Sequence, residues 1–175
     1  MWAPVQRLVV GVAISLGLIG CSSPSTSSTS VVSPLPSAVA SAQVTGACPV
    51  TLANGSTPPG VPPSVSGVNH GNGAVWVDVY PGGKVVAQPD QVDRDGSVDM
   101  KFPWWRGSVG QLVVTGRRLD GPSPPLRAYI PSGYGSSGFQ ATGLIFPTEG
   151  SWEVIGRVGK HTLTFVTLVE KSPPA

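Results

Sequence analysis

Residues 152–169 read WEVIGRVGKHTLTFVTLV, and this stretch decides the fold class. Two runs in which apolar and polar residues alternate flank the pair Gly159 and Lys160. Strand side chains alternate between two faces with a period of two residues, and a short glycine-containing segment between two such runs is typical of a turn. The stretch therefore predicts a β-hairpin with strands at residues 152–158 and 162–169.

The same pattern continues towards the N-terminus, where short β-rich runs alternate with turns of Gly, Pro and Asp. Further strands are predicted at residues 74–80, 85–86, 98–102, 111–118, 126–130 and 139–146. No segment keeps the 3.6-residue apolar period of a long helix. We therefore expect an all-β, immunoglobulin-like antiparallel β-sandwich of about seven or eight strands, with a small barrel as the alternative.

Composition and charge exclude other classes of protein. The chain has 175 residues, among them 23 Gly and 19 Pro, so an all-α fold is excluded. The length suits one modest domain with appendages. A formal net charge of +2 is too small to hold nucleic acid by counterion release. We expect no nucleic-acid partner.

The N-terminus predicts export. Arg7 precedes the apolar run LVVGVAISLGLI at residues 8–19, which is shorter than the ~20 residues that a spanning helix needs. The run ends at Leu18-Ile19-Gly20-Cys21, which resembles the lipobox of bacterial lipoproteins. That resemblance implies a signal peptide over residues 1–20, a diacylglyceryl group on the Cys21 sulfur, and a further acyl chain such as palmitate on the new N-terminus.

The resemblance also implies a location in the cell. It places the protein in a bacterial cell envelope, lipid-anchored on the extracytoplasmic face of the cytoplasmic membrane or of an outer membrane. Ser22, which follows the cysteine, resembles the pattern that permits sorting to an outer membrane.

Residues 22–46 predict a disordered tether. They contain 9 Ser, 3 Thr and 3 Pro, with no charged or aromatic residue. Such a segment has no hydrophobic face whose burial would offset the ordering entropy. We expect three parts: the signal peptide at 1–20, the lipidated Cys21 with its tether at 21–46, and the β-sandwich domain at 47–175.

A second resemblance covers about residues 48–169. It rests on CPVT at 48–51, NHGNG at 69–73, Trp76, FPWWRG at 102–107, GYG at 133–135 and FPTEGSWEV at 146–154. These residues resemble uncharacterised bacterial lipoproteins that carry a small immunoglobulin-like extracytoplasmic domain. A cysteine often stands in that family where this chain has Ser151, and it would pair with Cys48. The resemblance therefore implies a thiol at Cys48 instead of a disulfide.

Four residues are candidates for ligand binding. Trp104 and Trp105 are adjacent, so on a strand they face opposite sides unless Pro103 bends the segment or places it at an edge. One indole would fill the core, and the other would either cover a sheet edge or offer a platform to a sugar ring. Arg106 beside the pair would engage a carboxylate or phosphate, or stack on the indole that covers the sheet edge. Tyr134, in a glycine-rich loop, would contact a ligand or belong to a flexible interstrand loop.

Catalysis and metal binding have little support. His70 and His161 are the only histidines, and no third ligand stands at a metal-site spacing. Asp93, Asp95 and Asp99 do not meet the spacing of a calcium loop. No Gly-x-Ser-x-Gly elbow is present. We expect no enzyme activity, catalytic residue, metal or cofactor.

The leading hypothesis is a membrane-anchored extracytoplasmic lipoprotein with a non-catalytic binding or interaction module. Its partners would be the membrane, reached through the lipid, and a glycan or an envelope protein. Two alternatives stay open: a structural or accessory subunit of an envelope complex, and a small hydrolase or metal carrier.

Overall fold

The computed structural model describes residues 48–61 and 69–173, and these form nine strands joined by turns and two short 3-10 helices. The strands are β1 (Asn69–Gly71), β2 (Val75–Asp78), β3 (Lys84–Ala87), β4 (Val98–Arg106), β5 (Leu112–Arg118), β6 (Arg127–Tyr129), β7 (Gly138–Phe146), β8 (Gly150–Val158) and β9 (His161–Lys171). The 3-10 helices are Pro81–Gly83 and Pro89–Gln91.

The strands form two sheets. The first has five strands in the order β1-β2-β4-β7-β6, and the second has four in the order β3-β9-β8-β5. Their inner faces share one hydrophobic core, in which Trp104, Trp152, Phe102, Phe146 and Phe165 are the largest fully buried side chains. The predicted all-β sandwich is confirmed, and the sheets do not close into a barrel.

The hairpin of residues 152–169 is present as β8 and β9. Their register pairs Val158 with His161, and Gly159 in the turn has a φ of 57°. Glycine adopts this left-handed conformation without the steric cost that a Cβ atom would add. The turn therefore lies where the sequence predicts it.

One strand pair departs from the expected antiparallel arrangement. β3 runs parallel to β9, with Lys84 opposite Leu168 and Ala87 opposite Lys171. Every other strand pair in the described part of the chain is antiparallel. The second sheet is therefore mixed, because β3 joins its edge beside the last strand and not beside a sequence neighbour.

β4 is a central strand despite Pro103. Its residues are alternately buried and exposed along the whole strand, and it pairs with β7 from Val98 to Arg106. Its ladder with β2 ends at Trp104, one residue before Pro103 is reached. The missing proline N–H thus falls beside the end of the β2 ladder, where it disturbs the sheet least.

Residues 48–61 are packed onto the sandwich by specific hydrogen bonds. Thr51 donates its N–H to the Val166 carbonyl over 2.8 Å, and its side-chain Oγ1 accepts the Val166 N–H over 2.9 Å. Asn54 bonds the backbone of Gly71 through both ends of its amide, over 2.8 and 3.1 Å.

Cys48 is buried and forms a disulfide. The expected thiol at this position is therefore wrong. The prediction rested on two premises: that no cysteine stands at position 151, and that the sulfur of Cys21 carries a lipid. The chain's other cysteine, Cys21, lies outside the described residues.

The predictions for the signal peptide, the Cys21 lipid and the tether all fall on residues outside the described part of the chain. Within residues 48–61 and 69–173, no helix has the length and apolarity required to cross a membrane.

Candidate functional site

The alternation along β4 separates the candidate residues onto two sides of the first sheet. Trp104 and Arg106 point inwards and are 1% and 4% exposed, whereas Trp105 points outwards and is half-buried. Trp105 and Arg106 are neighbours in sequence, yet they face different environments. They cannot act side by side on one surface, as the sequence hypothesis had them do.

Trp104 belongs to the core. Its indole Nε1 donates a hydrogen bond to Thr142 Oγ1 over 3.2 Å, and its ring lies 5.9 Å from that of Phe165. A Cβ atom added at Gly156 would collide with the indole, so the strand β8 approaches it as closely as a bare backbone allows. Trp104 is thus the core member of the pair, and it is removed from the candidate ligand surface.

Trp105 forms part of an exposed aromatic patch, which we define as Trp105, Phe139 and Tyr134. Trp105 and Phe139 are opposite each other in the β4–β7 ladder, so their side chains share the outer face. The ring of Tyr134 lies 5.8 Å from that of Phe139, and these two residues are 38% and 47% exposed. Phe139 therefore lies between its ladder partner Trp105, which is half-buried, and Tyr134, whose ring it contacts.

Arg106 joins two loops at one end of the sandwich. Its Nη1 donates to the Gly110 carbonyl over 2.9 Å, and its Nη2 donates to the carbonyls of Gly135 and Ser137. The loops also bond directly, from the Gly110 N–H to the Ser136 carbonyl over 3.0 Å. The buried Nε of Arg106 has no hydrogen-bond partner among the described residues.

The two loops line a cleft of about 620 Å³ that is open to solvent, which we call the end pocket. It is lined by Arg106, residues 109–112, residues 130–136 and Gln140. Its volume falls within the ~300–1,000 Å³ typical of small-molecule sites. Tyr134 lines this pocket and also belongs to the aromatic patch, so the two features meet at one side chain.

The glycine-rich loop that carries Tyr134 is anchored at several points. Besides the contacts with Arg106, the buried Gln140 donates from Nε2 to the Pro131 carbonyl over 3.1 Å. Anchored loop backbones of this kind hold a binding site in place on a rigid scaffold. The contacts hold the two ends of the loop, at Pro131 and at residues 135–137.

The other polar candidates have structural roles. His70 Nδ1 lies 3.2 Å from the Leu52 carbonyl. Hydrogen bonds from the Ser97 hydroxyl and N–H lower the pKa of Asp95, and the same hydroxyl also bonds Asp93. Among residues 48–61 and 69–173, no three His, Cys, Asp or Glu side chains are grouped so that they could hold a metal ion.

Sequence reasoning missed Phe139 and the end pocket. Phe139 was assigned to a strand, but its position opposite Trp105 depends on the register between β4 and β7, whose paired residues here are 34 positions apart in the chain. The pocket depends on two loops that meet only in the folded chain. No local pattern in the sequence specifies either contact.

Comparison with known proteins adds no relative. No protein-family model matches the chain, and a search of curated proteins finds no match.

Proposed function

We propose that the protein is an exported bacterial lipoprotein that is anchored through Cys21 and displays a non-catalytic ligand-binding module. The ligand site is the end pocket together with the adjoining aromatic patch. The N-terminal sequence supports the anchor, as argued above. The disulfide at Cys48 supports export, since disulfides persist mainly in oxidising compartments outside the cytoplasm.

The observation that carries the binding role is the end pocket itself. It has the size of a ligand site, a buried arginine in its wall, and an exposed aromatic ring at its edge. Ligand sites commonly combine apolar walls with a few fixed polar groups. Among the described residues, the polar lining of the end pocket consists of Arg106, two glutamines and the hydroxyls of Ser132, Ser136 and Tyr134.

A lipid on Cys21 restricts which sulfur atoms can form a disulfide. A single sulfur cannot hold both a thioether and a disulfide bond. Cys21 and Cys48 are the chain's two cysteines, so a thioether on Cys21 and a disulfide between the chain's own two cysteines exclude each other. Mass spectrometry of the peptides that contain these two residues decides which bonds are present.

Replacing Tyr134 by alanine tests the binding site. Detergent-solubilised full-length protein would be screened by thermal shift against neutral sugars, sugar acids, aromatic acids and short peptides. Ligands that bind the native state raise the melting temperature. We expect Tyr134→Ala to lower the affinity for any stabilising ligand about tenfold. An aromatic contact contributes about 0.5–1.5 kcal/mol in addition to the effect of the apolar area that it buries.

Tyr129→Ala is the matched control for this screen. Tyr129 is 67% exposed on the edge strand β6 and does not line the end pocket. The Tyr129→Ala protein should bind the same ligands as the wild-type protein. A screen without hits, or hits that Tyr134→Ala and Tyr129→Ala bind equally, would contradict the proposed site and favour the role of an accessory subunit.

A further inference from the structure

Arg106 carries a charge that no described residue neutralises. It is 4% exposed, and its three hydrogen-bond acceptors are backbone carbonyls, which are dipoles and not anions. The five ion pairs among the described residues involve Lys84, Arg117, Arg118, Arg127 and Lys171, and none involves Arg106. Arginine keeps its charge in proteins, so burial cannot be relieved by losing a proton.

An unneutralised buried charge is costly. Moving an ion out of water costs several kcal/mol in real proteins, and arginine is seldom fully buried unless it is paired. The three hydrogen bonds to carbonyls offset part of the desolvation free energy of the guanidinium. An anion in the adjacent cleft would offset more of it, because it would sit close to the guanidinium in a region of reduced dielectric.

The residues that line the end pocket also favour an anionic ligand. Among the described residues that line it, Arg106 is the only charged one, so the lining holds no carboxylate that would repel an anion. Ser132, Ser136 and Tyr134 bring hydroxyl groups to the wall, and Val109 and Ile130 bring apolar surface. A ligand that fits these walls combines a negative charge with an apolar or ring-shaped body.

We propose that the end pocket binds a small organic anion, whose charged group is drawn to Arg106 and whose body rests against Tyr134 and the apolar wall. This inference rests on the proposed function, since it names the class of ligand for that same site.

Val109→Glu tests the charge without disturbing the loops. Val109 is 75% exposed at the edge of the pocket, so a glutamate there should be tolerated by the fold. It would place a negative charge beside the site and repel an anionic ligand. Arg106→Gln is less suitable, because it would also remove the donors that hold the two loops together.

The control is Val113→Glu. Val113 is 53% exposed on β5, alternates with the inward-facing Leu112, and does not line the pocket. It introduces the same charge on the outer face of the second sheet. The neighbouring Leu112 lines the pocket, but the side chain at 113 projects from the opposite face of β5 into solvent, where the Debye length is about 8 Å at 0.15 M salt.

The experiment is calorimetric titration of the full-length protein with glucuronate and benzoate, each compared with its neutral analogue, glucose and benzyl alcohol. We expect at least one acid to bind wild-type protein about tenfold more tightly than its neutral analogue. Val109→Glu should weaken that acid about tenfold, Val109→Lys should strengthen it, and Val113→Glu should leave it unchanged.

Two results would overturn the inference. If no acid is preferred over its neutral analogue, or if Val109→Glu binds like Val113→Glu, the pocket does not select anions. The proposed function would still stand in that case if Tyr134→Ala weakened the binding of other compounds. If no compound binds in a manner that depends on Tyr134, the proposed function fails together with the inference.

Discussion

Trp104→Ala is expected to lower the free energy of unfolding by about 3–5 kcal/mol, the range measured for large aromatic residues truncated in protein cores. The indole is 1% exposed and packs against Phe165 and the backbone of Gly156. Its removal leaves a cavity and also leaves the buried Thr142 hydroxyl without the indole N–H as a donor. Chemical denaturation of the full-length protein, followed by far-UV circular dichroism, measures the change.

Trp105→Ala is the matched control, because it removes the same side chain from the next residue of the same strand. Trp105 is half-buried on the outer face, so we expect it to lower the free energy of unfolding by about 1 kcal/mol. Equal losses in the two variants would contradict the assignment of Trp104 to the core and Trp105 to the surface.

Cys21→Ser is expected to move the protein from the membrane fraction to the soluble fraction. Two or three acyl chains hold a protein on a membrane stably, whereas one gives only marginal binding. A serine oxygen cannot form the thioether that carries the diacylglyceryl group. Fractionation of cells and metabolic labelling with a palmitate analogue would follow both the location and the lipid.

Cys48→Ser is the control for this experiment. This substitution also removes a sulfur but leaves Cys21 in place. The Cys48→Ser protein should therefore stay in the membrane fraction and keep the palmitate-analogue label. Cys21→Ser protein that stays firmly in the membrane would contradict the anchor. So would a wild-type peptide map in which Cys21 is joined to Cys48 by a disulfide.

The strands could be predicted from the sequence because the alternation of apolar and polar residues that indicates a strand is a local pattern. The alternation over residues 152–169 and the turn at Gly159 specify a hairpin without reference to the rest of the chain. The same rule separates Trp104 from Trp105, because neighbouring strand residues face opposite sides. Continued beyond residue 102, the alternation of Val98, Met100 and Phe102 with charged residues also puts Trp104 on the apolar face. The predicted strand ends at residue 102 because Pro103 was expected to bend it or to place it at an edge.

The features that the sequence did not predict depend on contacts between distant residues. The parallel pairing of β3 with β9 joins segments more than 80 residues apart. Arg106 reaches the carbonyls of Gly135 and Ser137, which lie in another loop. The sequence predicted that one of the two tryptophans would fill the core and treated Tyr134 as part of a separate loop. The structure places Trp104 in the core and brings Tyr134 to the pocket that Arg106 also lines.

The central claim is that Trp105 belongs to an exposed aromatic patch beside the end pocket, while Trp104 belongs to the core. Acrylamide quenching of tryptophan fluorescence tests it directly, in wild-type protein and in the Trp104→Phe and Trp105→Phe variants, all carrying Trp2→Phe so that the emission comes from Trp76, Trp104, Trp105 and Trp152. Trp76, Trp104 and Trp152 are all at most 5% exposed. We predict that Trp105→Phe removes the readily quenched part of the emission and that Trp104→Phe preserves it. Loss of that part in Trp104→Phe, or its persistence in Trp105→Phe, would contradict the account.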